Sequence, residues 1–144
     1  MTAPPSGHEG LNQRAAFAAW SDVQVRYRDL DMMGHVNHAV IVTFFESARM
    51  SVMGDLERLA GTGFVLADVH VRYLAEIHLG AAVEIGTCVT RVGTSSFTLG
   101  QGLFVGDACA ATCLGTEVFI DLAARRGTPL PAAYRAVLER HGRR

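Results

Sequence analysis

Residues 39–50, "AVIVTFFESARM", combine a helical pattern with residues that resist helix formation. Val40, Ile41, Phe44, Phe45, Ala48 and, further on, Val52 follow the i, i+3/i+4 spacing of one helix face. Val40, Ile41, Val42 and Thr43 are nevertheless weak helix formers, because branching at Cβ removes rotamer freedom beside the preceding turn. Such a segment stays helical only when packing on most of its sides compensates, so the spacing predicts a core helix. A chain of 144 residues favours a single domain with one core. The remaining elements must therefore surround this helix.

The remaining pattern is mostly that of strands. "DVQVRYR" (22–28) alternates Val23, Val25 and Tyr27 with polar neighbours and predicts a short half-buried strand. "GTG" at 61–63 ends the helical region. From 64 to 122 four long strands are expected: "FVLADVHVRYLAEIHL", "AVEIGTCVTRV", "FTLGQGLFV" and "CAATCLGTEVFIDL". In the first, Val65, Ala67, Val69, Val71 and Tyr73 oppose Asp68, His70 and Arg72; in the second, Val83, Ile85, Thr87, Val89 and Arg91 share a side. Short breaks at "GTSS" and "GDA" suit antiparallel hairpins, which need no crossover helix. "GTPLPAAYRAVLER" predicts a turn, a proline placed for a first helical turn, and a short terminal helix. The expected class is α+β, with a curled antiparallel sheet of about five strands around one central helix. Residues 1–20 are expected to form a partly flexible tail and 21–144 a single domain.

Composition narrows the function. Charged residues make up 19% and hydrophobic ones 49%, a globular balance. A net charge of −1 with no aromatic-plus-basic stripe excludes a nucleic-acid partner. No apolar run reaches the roughly 20 residues that span a bilayer, and the first residues lack a cationic start before an apolar block. No membrane partner and no secretion signal are expected. Three cysteines argue against a disulfide framework. On a strand Cys109 and Cys113 would lie roughly 13 Å apart, too far for a bridge. Small apolar filler in a reducing cytoplasm is the expectation, with no zinc site among them.

The densest polar stretch, "DLDMMGHVNH" (29–38), immediately precedes the apolar helix. Asn37 is a favoured N-cap type at that boundary. The free N–H groups and positive dipole end of a first helical turn form a donor array for an oxyanion. Gly34 provides either room for a substrate or a turn of positive φ. Asp29, Asp31, His35 and His38 are metal-ligand types without a standard metal spacing, so no metal is expected. The alternative for Asp31 is a carboxylate that bonds its own turn backbone. On an extended segment Asp29 would point the same way as Asp31, and two close ionised acids disfavour each other; Asp29 is expected to be structural or orienting.

This stretch and the element order resemble the 4-hydroxybenzoyl-CoA thioesterase family of hotdog-fold proteins. The matching residues are Tyr27, Asp29, Asp31, Gly34, His35, Val36 and Asn37, then Glu46, Ala48 and Arg49, with Tyr73-Leu74, "VTRVGTSSFTL" (89–99) and "EVFIDL" (117–122) further on. The likeness covers roughly residues 20 to 140. It implies a sheet wrapped round a long helix, a homodimer with active sites at the subunit interface, and in many members a tetramer built as a dimer of dimers. It also implies hydrolysis of acyl thioesters, of coenzyme A or of acyl-carrier protein, without metal or cofactor. Three positions depart from the pattern: His38 replaces a common second Asn, "IHLGA" a proline and a Gly-Asp pair, and Val40 and Ile41 the usual aromatics.

The resemblance assigns the catalytic carboxylate to Asp31 and puts the thioester carbonyl near the backbone N–H of His38. Thioester hydrolysis needs a nucleophile or a base for water, and donors for the developing oxyanion. Asp31 could attack directly or activate water. His35 is a candidate proton relay or a loop histidine bonded to backbone. Glu46 shares a helix face with Thr43, Ser47 and Met50; it either lines the substrate cavity, as a second catalytic candidate, or forms a salt bridge with Arg49 or across a dimer. Arg91, Ser95 and Ser96 fall where the family binds CoA phosphates. The rival readings are an enoyl-thioester hydratase or dehydratase on the same fold, and a non-catalytic acyl-thioester binder.

Overall fold

The computed structural model describes residues 6–144; residues 1–5 of the expected tail lie outside the described residues. The strands are β1 (Ala19–Gln24), β2 (Thr62–Tyr73), β3 (Ala82–Val92), β4 (Ser96–Val105), β5 (Ala108–Asp121) and the two-residue β6 (Arg126–Gly127). The helices are α1 (His38–Ala48), α2 (Met50–Met53) and α3 (Ala132–Arg140). All strand pairs are antiparallel, in the order β1-β3-β4-β5-β2, with β6 against β5. This is the expected hotdog arrangement. Strand β2 forms one edge of the sheet, because the chain places it beside β5 and returns to build β3 elsewhere.

Helix α1 buries Ile41, Phe44, Phe45 and Ala48 against Val83, Ile85, Leu103, Ala111 and Cys113 of the sheet. A polar strut fixes its end: the fully buried Gln101 Nε2 donates to Phe45 O at 3.0 Å and to Thr87 Oγ1 at 3.1 Å. Packing on most sides is not achieved within one chain. Thr43, Glu46, Ser47 and Met50 face outward, because the sheet curls round only one side of the helix.

Several boundaries and faces differ from the sequence pattern. The first strand runs over Ala19–Gln24, not 22–28, because its partner β3 begins at Ala82 and leaves later residues nothing to pair with. Tyr27–Asp29 form a 3-10 turn instead, with Tyr27 exposed. A bulge between Leu66 and Asp68 breaks the alternation in β2. Phe64 therefore packs on Phe97, Phe119 and Tyr134, while Val65 is exposed and Val69 and Val71 face the helix. A second bulge between Val89 and Arg91 turns Arg91 out to solvent.

Most of the described part of the expected tail is packed. Leu11, Ala16 and Phe17 are buried on the outer sheet face with Cys88 and Phe104. A Cβ at Gly86 would collide with Phe17, and one at Gly102 with the Leu11 carbonyl. Glycines inside strands thus mark a close backbone approach. Among the described residues no helix is long and apolar enough to cross a membrane.

Candidate active site

The 29–38 stretch connects β1 to α1 and is held by its own polar groups. Asp29 is buried, and its Oδ2 accepts the Arg26 backbone N–H at 2.7 Å and Arg26 Nε at 3.3 Å, while Arg26 Nη2 reaches Oδ1 at 3.2 Å. Burial pushes the Asp29 carboxyl pKa up, but the Arg26 amide, its guanidinium and the nearby Arg28 charge together outweigh this and hold it below the usual range. The Asp29 carbonyl in turn accepts the Asn37 N–H at 2.8 Å. Asp29 is thus structural, as expected. The reason differs, since it ends a 3-10 turn and folds back on Arg26 rather than lying beside Asp31 on an extended strand.

Asp31 organises the next turn. Its Oδ1 accepts the N–H groups of Met33 at 2.9 Å and His35 at 3.3 Å. The turn requires positive φ at Gly34, which has +79°. Nothing lies within 4 Å of where a Cβ would stand, so it is the backbone conformation that calls for glycine here. Asp31 Oδ2 has no partner among the described residues, and the side chain is exposed. One oxygen shapes the loop and the other is available.

Asn37 caps α1: its Oδ1 accepts the Ala39 N–H at 2.8 Å. The His38 and Val40 amides find no acceptor among the described residues, leaving donors at the positive end of the helix. Tyr73 Oη donates to the His38 carbonyl at 3.1 Å, tying the end of β2 to this helix start. Asp31, His35, His38, Ile41, Tyr73 and Glu76 line one cleft of about 370 Å³. Carboxylate, helix donors and an apolar wall meet there.

Among the described residues the His35 side chain bonds no backbone group. Its Nε2 lies 3.1 Å from Glu76 Oε2, and its ring meets that of His78 edge-to-face at 4.9 Å. Sequence reasoning missed Glu76 and His78, which come beside His35 only through a bridge between distant segments. His35, Glu76 and His78 are the only grouping of three or more metal-ligand types that converges among the described residues, and Asp29, Asp31 and His38 are outside it.

Other candidates are not gathered here. Glu46 sits on the exposed face of α1, roughly 12 Å along the helix from His38 at about 1.5 Å per residue. Arg49 does not pair with it. The buried Arg49 Nε bonds Glu117 Oε1 at 3.3 Å, and burial raises the Glu117 pKa, with Arg49 opposing and Glu46 adding to the rise. Ser96 pairs with Val118, whereas Tyr73 pairs with Ala111. Ser95 and Ser96 thus lie roughly 24 Å from the Asp31 cleft along β5, and Arg91, level with Thr98 and Thr116, roughly 17 Å, at about 3.4 Å per residue. The cysteines are free; burial lifts Cys88 and Cys113 to about 11, which suits inert filler.

Known proteins share this architecture. A thioesterase from Thermus thermophilus, solved as a complex with coenzyme A and Zn, is 32% identical, with a TM-score of 0.79 over 87% of this chain and 94% of that one. The PA5185 protein of Pseudomonas aeruginosa strain PAO1 shares the fold at 24% identity, with a TM-score of 0.81 over 91% of this chain and 96% of its own. The YsmA protein of Bacillus subtilis (strain 168) is 29% identical over 89 residues, and the match spans 60% of either chain. The model of the thioesterase-like superfamily matches residues 25–138, from the last residue before the Arg26–Asp29 turn to the terminal helix. The chain belongs to the thioesterase-like superfamily.

Proposed function

We propose that this protein hydrolyses an acyl thioester of coenzyme A to the free acid and CoA thiol, with Asp31 as the working carboxylate. The observation that carries the reading is the division of labour at Asp31, whose Oδ1 is bound to the loop while Oδ2 is open to the cleft headed by α1. In the general-base route Oδ2 takes a proton from water, the resulting hydroxide adds to the thioester carbonyl, and the C–S bond breaks. In the nucleophilic route Oδ2 itself adds, the C–S bond breaks with loss of CoA thiolate to leave a mixed anhydride on Asp31, and water then cleaves that anhydride to the free acid. Both place negative charge on the carbonyl oxygen, where the free amides of the first turn stabilise it. Thiolate is a good leaving group and needs little help from an acid. The related thioesterase crystallised with coenzyme A supports the substrate class.

The reading includes a homodimer. Edge strand β2 leaves one row of backbone groups unpaired, and Val65, Leu66 and Tyr73 on it are 45%, 42% and 47% exposed. Pairing two copies of β2 antiparallel would set the Asp31 end of one against the Ser95, Ser96 and Arg91 end of the other. Those residues would then hold CoA phosphates for the second copy's site, and the outward face of α1, with Glu46, would meet its counterpart.

The test is release of free thiol from short, long and aromatic acyl-CoAs by purified protein, with sedimentation to give the oligomeric state. Thiol release from at least one of them is expected, from a dimer or a dimer of dimers. Binding of acyl-CoA with no thiol release would favour the binding module, and hydration of an enoyl thioester without cleavage would favour the hydratase.

A further inference from the structure

Beyond the hydrolytic site, three side chains converge at the rim of the Asp31 cleft. His35 Nε2 is 3.1 Å from Glu76 Oε2, His78 Nε2 is 3.8 Å from the same oxygen, and one ligand atom from each residue lies within 4.8 Å of the others. Tetrahedral zinc with bonds of about 2.0–2.1 Å to nitrogen and oxygen sets its ligand atoms roughly 3.4 Å apart. The two measured separations bracket that spacing.

The convergence is built into the backbone. An antiparallel bridge sets His35 opposite His78, and the adjacent Val36 N–H donates to the Ile77 carbonyl at 2.8 Å. Glu76 and His78 stand on either side of Ile77, and both side chains turn towards His35. Two imidazoles and one carboxylate therefore start from fixed Cα positions. A lone His–carboxylate ion pair would need neither the second imidazole nor this register.

We propose that His35, Glu76 and His78 form a binding site for a divalent zinc-class cation, with three protein ligands and an open position for water or another ligand. Imidazole and carboxylate suit zinc better than the oxygen-preferring magnesium or calcium. Glu76 and His78 are each 64% exposed, which leaves the ion reachable from solvent. Because His35 also belongs to the Asp31 turn, an ion held there would fix that turn and add positive charge to the cleft.

The test is titration of the purified, chelator-treated protein with ZnCl2 by calorimetry, and with Co2+ followed by its visible absorption. His78→Ala, Glu76→Gln and His78→Gln are compared alongside. One saturable site per chain is expected, with affinity weakened about tenfold or more in each variant, and melting temperatures of the metal-free variants close to that of the parent. Absence of saturable binding would overturn the proposal. So would binding equally tight in all three variants, which would put the ion elsewhere. No substrate is present in these titrations, so their failure is separable from failure of the thioesterase reading.

Discussion

Asp31 and His35 hold each other in both directions: the Asp31 N–H donates to the His35 carbonyl at 2.8 Å, and the His35 N–H donates to the Asp31 side-chain Oδ1 at 3.3 Å. This reciprocal pair closes a turn that only a positive φ at Gly34 permits. Gly34→Ala meets no neighbour within 4 Å, so its penalty is backbone strain, about 1–2 kcal/mol. Gly34→Asn should lose less, since Asn tolerates this conformation better. Urea unfolding of the two variants checks the order; equal stability of Gly34→Ala and parent would contradict it.

The cap at Asn37 links stability to donor geometry. Asn37→Ala removes the acceptor of the Ala39 N–H and should cost about 1 kcal/mol. Asn37→Asp keeps an acceptor and adds a charge favourable to the helix dipole, so it should be at least as stable. That same charge would sit against a developing oxyanion, so Asn37→Asp should lower kcat for thioester cleavage despite its stability. Thermal melting and steady-state kinetics together test this split.

Asp29 makes stability depend on pH with a defined sign. Its folded-state pKa lies below its ordinary value of 3.8, so its stabilising effect is complete well above pH 3.8 and is lost as pH falls through the lower folded-state value. Asp29→Asn should therefore unfold at lower urea than the parent at pH 7, by about 1 kcal/mol, and the gap should narrow as pH falls below 3.8. A gap independent of pH would show that the carboxylate charge contributes nothing.

The Arg49–Glu117 pair is buried on both sides. Glu117→Ala strands the Arg49 guanidinium, whose Nη1 already lacks a partner among the described residues. A loss of about 3–5 kcal/mol is expected, and replacing both residues by apolar ones of similar volume should recover most of it. Denaturant titration of the single and double variants decides this.

How much of this was readable in advance varies by element. Strand β3 and helix α1 follow from periodicity, and β4 and β5 from the short breaks at "GTSS" and "GDA" that bound them. The bulges around Ala67 and Thr90 were not, since one extra residue shifts the face of everything after it without a compositional mark. The packed segment carrying Leu11 and Phe17 left its signature elsewhere, in Gly86, Gly100 and Gly102 on the strands it covers. In the site, Asp31, Gly34 and Asn37 came from resemblance and capping chemistry. Glu76 and His78 depend on a bridge between distant segments, and the Arg49–Glu117 pair on the meeting of helix and sheet. No local pattern encodes either.

Asp31→Asn offers the most direct measurement. Its amide oxygen can keep the Met33 and His35 N–H bonds, so the loop survives while the negative charge is removed. With any acyl-CoA that the parent cleaves, kcat/KM followed by free-thiol release should fall about 10²–10⁴-fold, with melting temperature unchanged. A folded Asp31→Asn variant that releases thiol as fast as the parent would contradict the account.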